Sequence, residues 1–94
     1  MATEFTVTLD FGASLTDYGS VAVTGQAGIV ATSRAEAWFM GATTVDSDEE
    51  DHVMAAVNTR LVCGIPTAGV GMTVYAFVEQ GLTKGTYKVQ GVWN

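Results

Sequence analysis

Hydrophobic and polar residues alternate with a period of two through most of this chain. In "FTVTLDF", Phe5, Val7, Leu9 and Phe11 share one face, while Thr6, Thr8 and Asp10 share the other. Successive side chains of a strand point to opposite faces, so this stretch predicts a half-buried strand. The turn-rich "GASLTDYG" follows, and "SVAVTG" predicts a second strand with Val21 and Val23 on one side. Residues 29–40, "IVATSRAEAWFM", predict a third and longer one. There Ile29, Ala31, Ser33, Ala35, Ala37 and Phe39 oppose Val30, Thr32, Arg34, Glu36, Trp38 and Met40. Propensity at its centre also suits a helix, but the flanking β-formers favour strand. "VNTRLVCGIP" predicts a fourth strand, closed by Pro66. In the fifth, Met72, Val74, Ala76 and Val78 oppose Thr73, Tyr75, Phe77 and Glu79. In the sixth, Tyr87, Val89, Gly91 and Trp93 oppose Thr86, Lys88, Gln90 and Val92. Eleven glycines separate these runs, a punctuation that predicts an all-β, compact antiparallel β-sandwich of about six strands in a single domain over residues 1–94.

The stretch that breaks the alternation is "TVDSDEEDHVM", residues 44–54, with five of the ten acids and the sole histidine. Read as a calcium loop from Asp46, it puts Asp51 where the sixth-position glycine belongs and Val57 where the twelfth-position glutamate belongs. A zinc site wants three or four ligands, and His52 has no second His or Cys at ligand spacing. Paired carboxylates do acid–base chemistry when their surroundings separate their affinities for protons, and a hydrophilic run does not separate them. A helix start fits better. Ser47 and Glu50 have capping-box spacing, and acids 48–51 fall in the first turn, at the positive end of the helix dipole. The expectation is one short helix or loop near 47–57, with His52 exposed and Val53, Met54, Ala56 and Val57 docking on the sheet. No catalytic, cofactor-binding or metal-binding residue is expected, and no cofactor.

Composition narrows the function further. The net charge is −6, with Arg34, Arg60, Lys84 and Lys88 as the only Lys and Arg residues. Phosphate neutralisation drives nucleic-acid affinity, so no nucleic-acid partner is expected, and an anionic membrane surface is disfavoured for the same reason. No run reaches the roughly 18 apolar residues of a membrane-spanning helix, and "MATEFTVTLD" lacks the features of a secretory signal. Cys63, alone in "LVCGI", reads as a small buried hydrophobe. Hydrophobic residues make up 48% and charged residues 15%, against roughly a quarter charged in ordinary soluble domains. A small chain so low in charge is expected to bury part of its surface against copies of itself or another protein.

The fifth strand points the same way, because Tyr75 and Phe77 lie on the face opposite its apolar core residues. Trp38 raises a similar question among Arg34, Glu36 and Met40, and aromatic residues concentrate at binding hot spots. The candidate protein-interface residues are therefore Trp38, Met40, Tyr75, Phe77 and Trp93.

Residues 20–94 also resemble small structural proteins of tailed bacteriophages. The likeness is carried by "TGQAGIVATS", "EAWFMG", the acidic stretch with its histidine, and the ending Tyr87-x-Val89-x-x-Val92-Trp93-Asn94. The V-x-W ending further resembles sandwich lectins of the H-type family, which form trimers. These resemblances imply a jelly-roll-like or H-type-lectin-like sandwich and a non-enzymatic protein on the outer surface of the virion. Its implied partners are itself, as a homotrimer, and the major capsid protein or another virion protein, in a capsid decoration or cement role. The alternative is a tail-fibre or head-fibre tip that binds a host glycan. The first strand either pairs within its own subunit or adds to a neighbour's sheet.

Overall fold

The computed structural model describes residues 2–94, and its elements run β1 (Thr3–Asp10), β2 (Tyr18–Val23), β3 (Ala35–Phe39), α1 (Glu49–Asn58), β4 (Thr59–Cys63), β5 (Met72–Val78) and β6 (Thr86–Trp93). They form two antiparallel three-stranded sheets, in the orders β1-β6-β3 and β2-β5-β4. The expected all-β sandwich is the fold. β1 pairs along its whole length with β6 of its own chain, from Thr3↔Trp93 to Asp10↔Thr86. The molecule measures 34 × 20 × 20 Å.

Alternation decides which face each strand buries. Leu9, Val74, Ala76 and Val89 are completely inaccessible, and Phe5, Phe11, Val23, Ile29, Phe39, Met72 and Tyr87 are buried with them. On central β6 the inward position 91 must be glycine. The Phe5 ring lies across it, and a Cβ there would penetrate both that ring and the Glu36 carbonyl oxygen. Tyr87 is the aromatic hub. Phe11, Phe39 and His52 each meet its ring edge to face, at centroid distances of 5.8, 5.8 and 5.2 Å. Its hydroxyl shares a 3.0 Å hydrogen bond with Thr83 Oγ1.

Two strands are shorter than alternation predicts. β3 covers only Ala35–Phe39, and residues 29–34 form a turn-rich approach to it. Ile29 is still buried, but as a loop residue: its carbonyl accepts from Gly69 N, not from a strand partner. β4 starts only at Thr59, because α1 extends to Asn58 and consumes the start of the expected fourth strand.

The helix differs from expectation in its cap and in its buried face. The N-cap is Asp48, not Ser47: its carboxylate accepts from Asp51 N at 2.8 Å, and the Asp51 carboxylate accepts from Asp48 N at 3.0 Å. This is the same reciprocal box moved one residue on, with aspartate in both roles. Ser47 is itself buried, held by Thr44 Oγ1, which accepts from Ser47 N at 3.1 Å. Val53, Met54 and Val57 stay exposed, whereas His52 is fully buried and is followed three residues later by half-buried Ala55.

His52 is inside because β6 needs it. Arg34 and Asn94 exchange both backbone hydrogen bonds, so the even-numbered residues of β6 face β3. At Lys88 that ladder ends: its carbonyl accepts from Met40 N at 3.4 Å, but its N–H donates to His52 Nε2 at 2.9 Å. With Nε2 accepting, the imidazole proton sits on Nδ1 and donates to the Asp48 carbonyl at 2.9 Å. One step on, the Thr86 carbonyl accepts from Thr44 Oγ1 at 2.8 Å. Side chains of the 44–52 segment therefore complete the edge of β6 that β3 is too short to cover.

Removing that ring leaves the part-buried Lys88 N–H without its partner and a cavity beside Tyr87. His52→Ala is expected to destabilise the fold by about 2–4 kcal/mol, measured by urea denaturation. His52→Phe keeps the ring and loses only the hydrogen bonds, so it should retain part of that stability. Full stability in His52→Phe would show that packing alone holds α1.

Candidate interaction surface

Sheet register sorts the candidate residues onto different surfaces. On the outer face of β2-β5-β4, cross-strand pairing gives three rows: Tyr18–Phe77–Arg60, Ser20–Tyr75–Val62 and Ala22–Thr73–Gly64. Tyr18, Phe77 and Val62 are each 45% exposed. The rings of Tyr18 and Phe77 lie 5.4 Å apart and tilted, and Tyr75 lies over Gly64, where a Cβ would be 3.0 Å from its ring. At the end of the sandwich past Ala22 and Thr73, exposed Ile65 and Val70 line a shallow groove of about 130 Å³ together with Val23 and Met72. Arg60 is the one charge in the three rows, 3.5 Å from Glu79 in an exposed ion pair.

The outer face of β1-β6-β3 has a different character. Its rows are Glu4–Val92–Glu36, Thr6–Gln90–Trp38 and Thr8–Lys88–Met40, ending at Asp10–Thr86. Trp38 is 41% exposed in this polar setting, and Met40 is half-buried. The structure thus brings Tyr75 and Phe77 together and places Trp38 and Met40 on the opposite sheet.

Trp93 belongs to neither surface. Its ring packs with the core cluster of Phe5, Val23, Ile29, Met72 and Val74. Its Nε1 donates to Gln26 Oε1 at 2.8 Å, and Gly28 lies so close that a Cβ there would be 3.2 Å from the indole. Half-buried Trp93 ties down the loop between β2 and β3.

The two outer faces meet around one edge of the sandwich. Between β3 and β4, an open groove of about 370 Å³ is lined by Ala35, Glu36, Ala37, Trp38, Leu61, Val62 and Cys63. Small alanines floor it, and Trp38 and Val62 come from opposite faces. Half-buried Cys63 lies here; burial, and then the negative charge of Glu36, pushes its pKa above the ordinary thiol value. That setting favours the thiol over the nucleophilic thiolate.

Sequence reading missed Tyr18, Val62, Ile65 and Val70. Tyr18 falls in "TDYGS", which reads as turn, yet its period-two relation to Ser20 and Ala22 was available as a signal. Val62 and Ile65 belong to the short apolar run "LVCGI", where periodicity does not separate buried from exposed positions.

The acids gather nothing comparable. An open cleft of about 420 Å³ is lined by Asp10, Gly12, Ala13, Asp46, Lys84 and Gly85. Asp10 is engaged with Gly12 N at 2.7 Å, and Asp46 accepts from Thr86 Oγ1 at 3.0 Å. Among the described residues, no group of three or more His, Cys, Asp and Glu side chains is placed to hold a metal ion. Comparison with family profiles, with curated proteins and with solved structures returns no match to this chain.

The raised thiol pKa has a measurable consequence. Cys63 in the folded protein should react with iodoacetamide at pH 8 several-fold more slowly than in the urea-unfolded chain, and Glu36→Gln should recover part of the difference. Because the folded state favours the protonated thiol, its contribution to stability is intact below the unfolded thiol pKa and is lost as pH rises through the folded one. Equal labelling rates in the folded and unfolded protein would contradict this setting.

Proposed function

We propose that this protein is a non-enzymatic structural subunit on the exterior of a bacteriophage particle, a capsid decoration or cement protein that binds the major capsid protein. The observation behind the assembly reading is that large apolar side chains stand exposed on both outer faces. Tyr18, Val62 and Phe77 crown one sheet, and Trp38 stands on the other. A component with contacts on opposite sides can bridge two neighbours, which a module with a single binding pocket does not need. Burying such surface stabilises a lattice joint by about 25 cal/mol per Å² of apolar area. The phage assignment itself rests on the resemblance of residues 20–94.

The acidic stretch fits this reading without chemistry of its own. Asp48 and Asp51 hold the helix cap, and His52 holds β6. A second reading, a glycan-binding fibre tip, draws on the tilted Tyr18–Phe77 pair, since exposed aromatic rings offer faces to sugars.

Immunogold labelling of intact particles separates the two: label over the head supports decoration, and label confined to the tail tip supports the glycan reading. On the decoration reading Trp38 anchors the subunit to the particle. Trp38→Ala is then expected to weaken particle association by about 2 kcal/mol or more, read as reduced copy number on purified virions. Normal occupancy by that variant would remove Trp38 from the anchor role.

A further inference from the structure

We infer that His52 is an acid-sensitive latch: a proton on its ring releases α1 from β6 and opens residues 48–58 while both flanks stay attached. The inference does not depend on the assembly reading above.

Both ring nitrogens are committed, in opposite senses. Nδ1–H donates to the Asp48 carbonyl, and Nε2 accepts from the Lys88 N–H, each at 2.9 Å. Among the described residues that N–H is the one hydrogen-bond partner of Nε2. An imidazolium carries a proton on both nitrogens and accepts nothing. Protonation therefore sets N–H against N–H at Lys88, on a ring with no access to water. The closed structure holds the neutral ring, and the charged ring has to leave it.

The surrounding charges do not reverse this. On the helix itself, Asp48 and Asp51 spend their carboxylates on each other's backbone N–H. With Glu49 and Glu50 they are exposed, so they attract a proton in the open state as well as in the closed one. Asp46 accepts from Thr86 Oγ1. β6 brings Tyr87, whose hydroxyl is bonded to Thr83, and Lys88, whose exposed ammonium has the same sign as an imidazolium. On β3 the titratable residue is Glu36, opposite Val92 and roughly 13 Å along β6 from Lys88. β4 brings Arg60, in its exposed ion pair with Glu79, and Cys63 near Glu36. Residues 80–83, which border α1 in one groove, bring none.

The movement is bounded by its anchors. His52 is the one fully buried side chain of α1, and Val53, Met54 and Val57 are already outside. Upstream, Thr44 Oγ1 donates to the Thr86 carbonyl and accepts from Thr86 Oγ1, a tie between hydroxyls and backbone that acid does not touch. Downstream, β4 stays paired with β5. Opening the segment between them bares the edge of the Tyr87 ring and gives the Lys88 N–H to water.

The pH window follows from the same hydrogen bonds. A free imidazole takes its proton near pH 6.5. Below that pH the open state binds a proton that the closed state refuses, so opening is favoured about tenfold more for each unit of acidification. The closed form is at full strength above this value and loses ground as pH falls. His52 is the sole histidine, and ordinary carboxylates titrate near pH 4, so a change between pH 7.5 and 5.5 reports on this ring.

Amide hydrogen exchange followed by NMR, corrected for the intrinsic effect of pH, tests the latch. Protection of the Lys88 and α1 amides should fall about tenfold from pH 7.5 to 5.5 and stay below that of the β5 amides. His52→Gln, whose neutral amide can accept from Lys88 N–H at either pH, should show no such fall, with circular dichroism confirming that it folds. Imidazole ¹⁵N spectra of the wild type supply a readout that needs no variant: the closed form should keep the neutral Nδ1–H ring at pH 5.5. A protonated ring beside a still-protected Lys88 amide, or protection indifferent to pH, would overturn the inference. So would the same fall in His52→Gln, or equal protection of Lys88 and β5, which would mean that only global unfolding frees the ring.

Discussion

The 2.9 Å hydrogen bond from Lys88 N–H to His52 Nε2, backed by Thr44 Oγ1 on the Thr86 carbonyl, ties the helix segment to the central strand β6. A central strand must satisfy both of its edges, and β3 leaves the first residues of β6, Thr86 to Lys88, uncovered. An unpaired amide at that depth costs a substantial fraction of a small domain's total stability. The imidazole supplies the missing acceptor, and its other nitrogen donates to Asp48 in the helix cap. One side chain thereby joins the end of a sheet, the start of the helix and the Tyr87 aromatic cluster. This explains why an acidic, hydrophilic segment is pinned against the core at its histidine. α1 turns His52 and Ala55 inward and leaves Val53, Met54 and Val57 outside.

With that end fixed, the two sheets are free to differ on their outer faces. The β1-β6-β3 sheet presents Glu4, Asp10, Glu36 and Lys88, with Trp38 among them, and the β2-β5-β4 sheet presents aromatics and aliphatics. The same period-two rule produces both, since outward positions are set by register and the residue types there are unconstrained by the core. The division of labour between faces is a property of the surface, and the core can serve it without change.

Much of this architecture was legible from alternation. The inward sets of β1, β5 and β6 follow directly from "FTVTLDF", "MTVYAFV" and "TYKVQGVW", because long runs with one buried face admit a single phase. The errors have local physical causes. Residues 29–33 alternate as a strand does, but turn bonds such as Ser33 N to the Val30 carbonyl keep them out of the ladder. Ser47 and Asp48 are both competent caps, but Ser47 closes a local turn with Thr44, and the distant Thr86 carbonyl holds Thr44 in place. His52 looked exposed because its sequence neighbours are acids; its burial depends on Lys88, thirty-six residues away. Trp93 shares the phase of Tyr87, Val89 and Gly91 and packs inward beside Gln26, whereas Trp38 has the opposite phase and stands on the surface.

The pairing of β1 with β6 also bears on how the chain reaches this state. Thr3 faces Trp93, and every pair in that ladder joins distant parts of the sequence, whereas β4 and β5 are joined by a short connection. Closing so long a loop carries an entropic cost, and non-local pairing of this kind slows folding in general. During synthesis, β1 emerges first and has no partner until residues near 93 have been made. For that interval its Phe5, Val7 and Leu9 face is open to solvent. The β2-β5-β4 sheet can form earlier and offer its inner face as a provisional shelter. The β1-β6-β3 sheet, unlike β2-β5-β4, cannot be completed before the last strand of this sequence has been made.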